Sequence, residues 1–383
     1  MVIQRFLKMD LPKGKSAFLW GPRKTGKSTF LRQHFPKSVY FDLLDNDIYM
    51  DFVKRPSLLR QELSGMKSTI HGPVIIDEVQ KVPAILDEVH WMIENMRISF
   101  IMCGSSARKL KRGQANLLGG RAWRFELFPL VSAEIDRLNL LRALNHGLVP
   151  LHYIEANAKK ELKAYAYDYL KEEVFEEGLT RNIPAFSRFF DAMSYSHGQI
   201  TNFSNVARDC GVDYKTVREY YQILQDTLLG RMIEPFKRRQ DRAVILRAPK
   251  FYLFDVGLAG ALTHREIGEE KGEEFGRAFE HFIFMELTAY GSYKDLDFDI
   301  NYWKTKSGLE VDFVLARGEA AIEVKGASRV DHLDVKGLRT FYDEYRPKKA
   351  IVVTNERAGR IDKGIHFLPW RDFLGQLWSG KII

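Results

Sequence analysis

The eight residues at positions 21–28 constrain the fold of this chain more than any other stretch. They read Gly-Pro-Arg-Lys-Thr-Gly-Lys-Ser. The apolar residues 17–20 before them predict a short buried strand, and residues 28–33 after them predict the start of a helix. A glycine-rich loop between a strand and a helix can point its amide hydrogens at phosphate groups. The sequence therefore predicts a phosphate-binding loop.

The residue types in this loop have separate predicted tasks. Gly21 and Gly26 let the backbone bend, the Lys27 ammonium reaches the terminal phosphates, and the Ser28 hydroxyl is a ligand for Mg²⁺. The helix N-terminus adds a partial positive charge. We expect a nucleoside triphosphate with Mg²⁺, held by Gly21, Pro22, Arg23, Lys24, Thr25, Gly26, Lys27, Ser28 and Thr29.

Length and composition set the outer bounds. The chain has 383 residues, more than one hydrophobic core normally supports, so we expect two or three domains. Two cysteines cannot build a disulfide framework or a zinc site, and no apolar run is long enough to cross a membrane. We therefore expect a cytoplasmic protein with no membrane partner. The net charge of +8 favours an anionic partner, nucleic acid first, although scattered surface lysines give the same sum.

Strand and helix patterns divide the chain into three parts. Up to about residue 140, apolar strands alternate with helical stretches, which predicts βαβ units on a parallel sheet. Helical periodicity dominates residues 151–230, and strands return after residue 250. We predict domains at 1–145, 146–248 and 249–383. The predicted strands are 17–20, 39–42, 74–77, 99–103, 122–127, 300–304, 310–316, 320–325 and 350–354.

A phosphate loop needs acidic partners on a neighbouring strand. The apolar run 73–76 ends in Asp77 and Glu78. We expect Asp77 to hold Mg²⁺ through water and Glu78 to polarise the attacking water. The next buried strand ends in Ser105 and Ser106, either of which could sense the γ-phosphate. A plain strand-terminating turn is the alternative.

A glycine-rich stretch then leads to Arg121. This residue, with Arg124 or Arg108 as substitutes, could be an arginine finger given to the ATP site of a neighbouring subunit. The finger would imply a homo-oligomer. An ordinary surface salt bridge explains Arg121 equally well.

The order of these motifs resembles a family of bacterial and archaeal AAA-type ATPases. The most specific part is the string at 77–83, Asp-Glu-Val-Gln-Lys-Val-Pro, and the strings at 103–106 and 118–121 follow it in the family's order. Members of the family carry a C-terminal domain of unassigned function related to restriction endonucleases. The resemblance implies ATP as the nucleotide and a RecA-like core.

The middle part carries a helix-turn-helix pattern. Ala207 permits close helix packing, Gly211 makes the turn, and Val217 anchors the second helix. That helix would expose Lys215 and Arg218, and residues 236–242 could be the wing of a winged helix. DNA contact and a solvated basic surface stay open as alternatives. The further basic residues of the predicted patch are Lys237, Arg238, Arg239, Arg242, Arg247 and Lys250.

The C-terminal part predicts a hairpin with charged residues on one face. Strand alternation puts Glu323 and Lys325 on the same face, and Asp312 on the neighbouring strand can meet them. Two carboxylates and a lysine can bind Mg²⁺ and activate water for phosphodiester cleavage. The spacing resembles the restriction-endonuclease-fold signature, which implies Glu280 as the helical acid. Cleavage and a binding-only role both stay open.

The sequence thus predicts an α/β fold with three domains: a RecA-like P-loop core, a helical winged-helix middle and a restriction-endonuclease-like α/β domain. The predicted function is Mg²⁺-dependent ATP hydrolysis coupled to binding of DNA or a partner protein. One alternative is an ATP-regulated, metal-dependent DNA nuclease. The other is a nucleotide-switched DNA- or protein-binding module without significant turnover.

Overall fold

The structure, a computed structural model, describes residues 3–12, 14–66, 68, 70–106, 118–155, 157–166, 182–237 and 248–383. It forms two compact units. The N-terminal unit comprises Leu7–Phe128 and Asp226–Leu229, and the C-terminal unit comprises Met1–Phe6, Pro129–Gln225 and Gly230–Ile383. The predicted domain boundaries at residues 145 and 248 both lie within the C-terminal unit.

Strands and helices alternate along the N-terminal unit. They are β1 (Ser16–Trp20), α1 (Lys27–His34), β2 (Tyr40–Asp42), α2 (Asn46–Lys54), α3 (Leu58–Gly65), β3 (Val74–Asp77), a 3-10 turn (Val79–Lys81), α4 (Ile85–Met96), β4 (Phe100–Gly104) and β5 (Ala122–Glu126).

The five strands form one parallel sheet in the order β2-β3-β4-β1-β5. The predicted α/β architecture with a parallel sheet is confirmed. Strand β4 lies between β1 and β3, with Trp20 opposite Gly104 and Asp77 opposite Cys103. Because parallel strands end at the same edge, the loop after Trp20 and the residues after Asp77 and Gly104 emerge side by side.

Apolar side chains from strands and helices make the core of this unit. Phe18, Ile76 and Met102 contribute from the sheet, while Leu86 and Val89 contribute from α4. Leu86 and Val89 lie three residues apart, so they share one face of the helix. The packing fixes α4 against the sheet and leaves the carboxyl edge of the strands free to present polar groups.

The C-terminal unit begins with helices and ends with a mixed sheet. Its helices are α5 (Leu140–His146), α6 (Pro150–Ile154), α7 (Ala158–Ala164), α8 (Ile183–Ser196), α9 (Phe203–Cys210), α10 (Tyr214–Asp226), α11 (Val256–Leu262), α12 (Gly272–Tyr293), α13 (Lys336–Tyr345) and α14 (Trp370–Trp378). Its strands are β6 (Gly230–Ile233), β7 (Lys250–Leu253), β8 (Ile300–Lys304), β9 (Glu310–Leu315), β10 (Ala320–Lys325), β11 (Lys349–Thr354), β12 (Arg360–Asp362) and β13 (Ile365–Pro369).

Helices α9 and α10 occupy the segment with the predicted helix-turn-helix pattern. Asn202 caps α9 through its side chain, and Gly211 ends it in the left-handed conformation at φ 68°. A glycine adopts that conformation without steric cost. Cys210 and Val217 are buried on either side of this turn. The winged-helix arrangement stays a prediction, because most of the predicted wing lies outside the described residues.

The mixed sheet of the C-terminal unit has the order β12-β13-β11-β10-β9-β8. Strand β9 pairs antiparallel with both β8 and β10, and β12 pairs antiparallel with β13. Strand β11 pairs in parallel with both β10 and β13. The predicted hairpin is present, and its turn is a 3-10 turn at Ala316–Gly318. Helix α13 packs on β9 and β10, and the ring of its Phe341 makes an edge-to-face contact with Trp303.

No helix in the described part of the chain is both long enough and apolar enough to cross a membrane.

Candidate functional site

The phosphate loop follows β1 and runs into α1, and its two glycines are required by geometry. A Cβ on Gly21 would lie 2.5 Å from the carbonyl oxygen of Leu127, which is too close for any side chain. Gly26 has φ 92° at the N-cap of α1, in the left-handed region that favours glycine. The two glycines therefore fix the shape of the loop without a bound ligand.

Lys27 lies folded back over this loop. Its Nζ donates to the carbonyl oxygens of Gly21 at 2.7 Å and Pro22 at 3.1 Å. Thr25 Oγ1 donates to the same Pro22 oxygen at 2.8 Å. The ammonium is buried and held by neutral carbonyl groups. A phosphate group would offer it charged acceptors instead, and charge-assisted hydrogen bonds are about twice as strong.

Asp77, at the end of β3, is the acceptor for donors from three other elements. Ser28 Oγ donates to Asp77 Oδ2 at 2.6 Å. The Tyr40 hydroxyl donates to the same oxygen, and the Cys103 thiol donates to Oδ1. Asp77 is almost fully buried. The predicted pair of Ser28 and Asp77 is therefore in contact, and Tyr40 and Cys103 join it.

The neighbouring groups stay protonated. Burial, and then the hydrogen bond to Asp77, raise the pKa of the Tyr40 hydroxyl above its usual range. Burial, and then the negative charge of Asp77, raise the pKa of the Cys103 thiol. Both groups are thus donors to the carboxylate at neutral pH. Sequence reasoning missed both residues. Tyr40 lies on β2, two residues before Asp42, which pairs with Asp77 in the parallel register.

A hydroxyl and a carboxylate in contact are a donor set suited to Mg²⁺, which takes oxygen ligands and keeps several waters. Ser28 and Asp77 fit the ion that the phosphate loop implies. When bound with a nucleotide, Mg²⁺ neutralises charge on the phosphate oxygens.

Glu78 follows Asp77 directly, in the left-handed conformation at φ 57°. Its carboxylate accepts a hydrogen bond from the Gln80 side-chain amide. The same amide nitrogen donates to Ser105 Oγ at 3.3 Å. The two residues predicted to face the terminal phosphate, Glu78 and Ser105, are thus linked through Gln80. Sequence reasoning gave Gln80 no role, and its only signal was its place in the 77–83 string.

The other predicted residues of this unit have different surroundings. Ser106 Oγ donates to the carbonyl oxygen of Asp226 at 3.3 Å. Arg121 forms an ion pair with Glu94, and its hydrogen bond, followed by its charge, lowers the pKa of the Glu94 carboxyl. Arg124 is exposed on β5, and Arg108 lies outside the described residues. The arginine finger stays a prediction.

The C-terminal unit gathers the predicted charged residues of β9 and β10. Lys325 Nζ lies 2.6 Å from Glu323 Oε1, so the two share one face. Asp312 Oδ2 accepts the backbone N–H of Val324 at 2.8 Å. Asp312 and Glu323 are buried, and Glu323 Oε2 has no hydrogen-bond partner among the described residues.

Glu280 on α12 is engaged by other groups. It accepts hydrogen bonds from the Tyr252 hydroxyl and from Lys250 Nζ, the latter at 3.3 Å. Lys250 also lies 2.7 Å from Glu310 Oε1 and is only 3% exposed. The expectation that Lys250 belongs to a surface basic patch is wrong, because β7 carries it into this carboxylate cluster.

The carboxylates of the cluster repel one another. Burial, and then the charge of Glu323, raise the pKa of Asp312 well above its usual range. Burial raises the pKa of Glu323 to about 7 against the opposing charge of Lys325. Among the described residues, no three His, Cys, Asp or Glu side chains come together as a metal-binding group. Asp312 and Glu323 are the two carboxylates that fit a cation here, because both are buried and Glu323 Oε2 accepts no hydrogen bond from the described residues.

The predicted DNA contacts are only partly visible. Lys215 is exposed near the start of α10, and Arg218 lies one turn further with its guanidinium 5.9 Å from the Tyr214 ring centre. Lys237 is exposed after β6. Arg238, Arg239, Arg242 and Arg247 lie outside the described residues.

Comparison with known families divides the chain in three. Residues 13–135 match a family described as AAA domain. This segment contains the phosphate loop and is similar to AAA domains. The match supports ATPase activity for this domain. Residues 138–268 and 275–373 match two separate families, each described only as a domain of unknown function, DUF8612 and DUF4143.

Two curated relatives are similar to this chain over most of its length. They are the uncharacterized protein Mb2031c of Mycobacterium bovis and the uncharacterized protein Rv2008c of Mycobacterium tuberculosis. Each is 26% identical over an alignment of 329 residues that covers 80% of this chain and 68% of the relative. Their names carry no activity.

Solved structures with similarity to this chain include the Walker-type ATPase PABY2304 of Pyrococcus abyssi. It is 13% identical with a TM-score of 0.43, over 65% of this chain and 91% of its own. The signal-transduction ATPase PH0952 of Pyrococcus horikoshii, which has a tetratricopeptide repeat sensor, is 10% identical with a TM-score of 0.22, over 74% of this chain and 46% of its own. At these TM-scores, neither similarity supports a conclusion about this chain.

Proposed function

We propose that this protein hydrolyses ATP with Mg²⁺ and couples the hydrolysis to binding of DNA or a partner protein. The observation that carries the proposal is the contact of Ser28 Oγ with Asp77 Oδ2 at 2.6 Å, next to the buried ammonium of Lys27. A hydroxyl, a carboxylate and an ammonium converge where the phosphate loop enters α1. Together they match the charges and donors of a triphosphate with its Mg²⁺.

Each residue has a role in this scheme. Lys27 exchanges the carbonyl oxygens of Gly21 and Pro22 for phosphate oxygens, and Ser28 and Asp77 hold Mg²⁺. Glu78 accepts a proton from the attacking water. Ser105 donates to the terminal phosphate, because its hydroxyl oxygen already accepts from Gln80 and its own proton is left to give.

The coupling to DNA or a partner protein rests on charge and on the helical segment. The chain carries a net charge of +8, and Lys215 and Lys237 are exposed near α10 and after β6. Phosphate backbones attract such residues without regard to base sequence. An acidic protein surface is the other partner that this charge suits.

The deciding experiment measures phosphate release from ATP by wild type, Lys27→Ala and the charge-matched control Lys54→Ala, each with and without DNA. Lys54 is exposed on α2 and touches none of the proposed site residues described above. We expect turnover in wild type and Lys54→Ala, a loss of about 100-fold or more in Lys27→Ala, and a rise in wild type with DNA.

Two other outcomes would change the proposal. Turnover that ignores DNA but responds to an acidic protein would replace DNA by a protein partner. Wild-type turnover no greater than that of Lys27→Ala would contradict hydrolysis and favour a nucleotide-switched binding module. In that module, Glu78→Gln would leave both partner binding and phosphate release at the wild-type level.

A second candidate function is metal-dependent cleavage of DNA by the C-terminal unit, regulated by ATP. The observation that favours it is the buried Glu323 Oε2, which has no hydrogen-bond partner in the described part of the chain. Glu323 is ion-paired with Lys325, and its charge acts on Asp312. Leaving a carboxylate oxygen unpaired in the interior costs stability. A cation bound to Glu323 and Asp312 would offset that cost, and Lys325 would orient the water.

The test is nicking of supercoiled plasmid with Mg²⁺ and ATP by wild type, Lys325→Ala and Lys336→Ala. Lys336 is an exposed lysine at the start of α13 and serves as the control. Nicking by wild type and the control but not by Lys325→Ala would establish the activity. Equal nicking by all three would assign it to a contaminant, and no nicking would leave the cluster a role in binding alone.

A further inference from the structure

Gln80 lies between the two side chains that the proposed hydrolysis places beside the terminal phosphate. It belongs to the 3-10 turn Val79–Lys81, which follows β3, and it is 5% exposed. Its amide nitrogen donates one hydrogen to the Glu78 carboxylate and the other to Ser105 Oγ. One side chain therefore holds a residue after β3 and a residue after β4 together.

The orientation of this amide follows from the charge of Glu78. Turning the amide over would place its oxygen against the carboxylate, and two acceptors repel. With the nitrogen toward Glu78, the oxygen Oε1 has no partner among the described residues. It lies against Gly104, where an added Cβ would come within 2.0 Å of it. A side chain at position 104 would therefore displace the Gln80 amide.

Three local features around Gln80 cost stability. Glu78 is a non-glycine residue with positive φ, and Gly104 is a glycine at the last position of β4. The buried Gln80 Oε1 has no hydrogen-bond partner in the part of the chain that the structure describes. A methionine at position 80 would fill a similar volume without any unpaired polar atom. Departures from local rules that converge on one point are expected at functional sites rather than in a structural core.

We propose that Gln80 is a positioning residue for ATP hydrolysis, which fixes the Glu78 carboxylate and the Ser105 hydroxyl relative to each other. A general base must lie within hydrogen-bond reach of the proton it takes, and a carboxylate on a loop can rotate away. The donated hydrogen bond removes that freedom for Glu78. The second one makes Ser105 an acceptor toward Gln80, so that its own proton points to another acceptor. This role rests on the proposed ATPase function.

The test compares Gln80→Met and Ser16→Ala with wild type. Ser16 Oγ accepts the backbone N–H of Phe100 at 3.0 Å, so Ser16→Ala removes a buried hydrogen bond at the opposite end of the same sheet. We measure kcat and KM for ATP hydrolysis, affinity for the fluorescent analogue mant-ATP, and the midpoint of thermal unfolding. We expect Gln80→Met to lower kcat about 10- to 100-fold and to leave mant-ATP affinity within about twofold. Ser16→Ala should lower the midpoint and leave kcat unchanged.

A second variant, Gln80→Glu, tests the role through the pH dependence of kcat, which a purely packing role of Gln80 would not change. Its carboxylate has no hydrogen to donate when ionised, but it donates to Glu78 when protonated. The kcat of Gln80→Glu relative to wild type should therefore rise as the pH falls from 8 to 6. The ratio of Gln80→Met to wild type should stay flat over the same range.

The outcomes separate the two proposals. Turnover in wild type, absent in Lys27→Ala, together with an unchanged kcat in Gln80→Met, would overturn the role of Gln80 and leave the ATPase standing. A fall in kcat matched by an equal fall in mant-ATP affinity would overturn it too, because the residue would then act on binding. Absence of turnover in wild type would overturn both proposals together.

Discussion

At the scale of single residues, Glu286 is an acid in the interior of the C-terminal unit. It lies on α12 and is 1% exposed. Its two oxygens accept hydrogen bonds from Ser132 N, Ser132 Oγ and Trp378 Nε1, each at 2.7 Å. Burial nevertheless raises its pKa to about 7, and the nearby charge of Glu134 adds to the effect.

This pKa predicts a pH dependence of stability with a definite sign. The folded state binds the Glu286 proton more tightly than the unfolded chain does, so the group stabilises at low pH. That contribution falls as the pH rises from the ordinary value of 4.5 to about 7. We expect the unfolding free energy of wild type minus that of Glu286→Gln to fall by roughly 2 to 3 kcal/mol between pH 5 and pH 8.

Urea unfolding at several pH values, followed by tryptophan fluorescence, measures this difference directly. The titration of all other groups cancels in this difference between the two unfolding free energies, because both proteins share those groups. A difference that stays constant with pH would mean that Glu286 is ionised throughout and that its three donors outweigh burial.

Residues of the nucleotide site could be predicted where a local pattern in the sequence marks them. Residues 21–28 form one continuous pattern, and Asp77 ends an apolar strand, so both were accessible to sequence reasoning. Tyr40 and Cys103 reach Asp77 only because β2 and β4 flank β3. No spacing in the sequence encodes that sheet order.

At the scale of elements, Asp255 shows how one side chain can fix the start of a helix. It is the N-cap of α11, where Oδ1 accepts Leu258 N at 2.9 Å, and Oδ2 accepts Leu148 N at 2.7 Å. A Cβ on Gly257 would lie 2.2 Å from Gly147 N. Asp255 and Gly257 therefore each have a structural reason for their residue type.

We predict that Asp255→Ala lowers the unfolding free energy of the C-terminal unit by about 2 to 4 kcal/mol, because it removes a cap and leaves the buried N–H of Leu148 unpaired. Asn202→Ala is the matched control, since Asn202 caps α9 at the surface. It should cost about 1 kcal/mol. Equal losses in the two variants would contradict the importance of the buried bond to Leu148.

Short apolar runs located strands well, because the central strands of a sheet are buried on both faces. The predicted central strands 74–77 and 320–325 match the observed bounds, and the edge strand 300–304 matches as well. Charge runs were less informative. Lys250 stands in a basic stretch of sequence, yet β7 buries it beside Glu280 and Glu310. The sign of a charge does not reveal whether its side chain faces water or an opposite charge.

At the scale of the whole molecule, the chain forms two compact units, and only the N-terminal unit contains the phosphate loop. A ligand that binds one folded unit stabilises that unit by mass action. We predict two thermal transitions, of which one shifts upward with Mg²⁺ and ATP while the other stays in place. At 100 times the dissociation constant, the gain is about 2.7 kcal/mol.

Differential scanning calorimetry tests this directly, with Lys27→Ala as the variant that should lose the shift. Parallel shifts of both transitions would show that nucleotide binding is communicated between the units. A single transition that moves as a whole would mean that the two units unfold together.

The segment Asp226–Leu229 determines where this chain can be truncated. It follows α10 and precedes β6, yet it completes the N-terminal unit, where Ser106 donates to the Asp226 carbonyl oxygen. Leu228 packs on the core of that unit. An expression plasmid that stops at residue 128 would thus omit part of the fold it aims to isolate. A truncated version of the N-terminal unit would need those four residues attached after residue 128 through a linker.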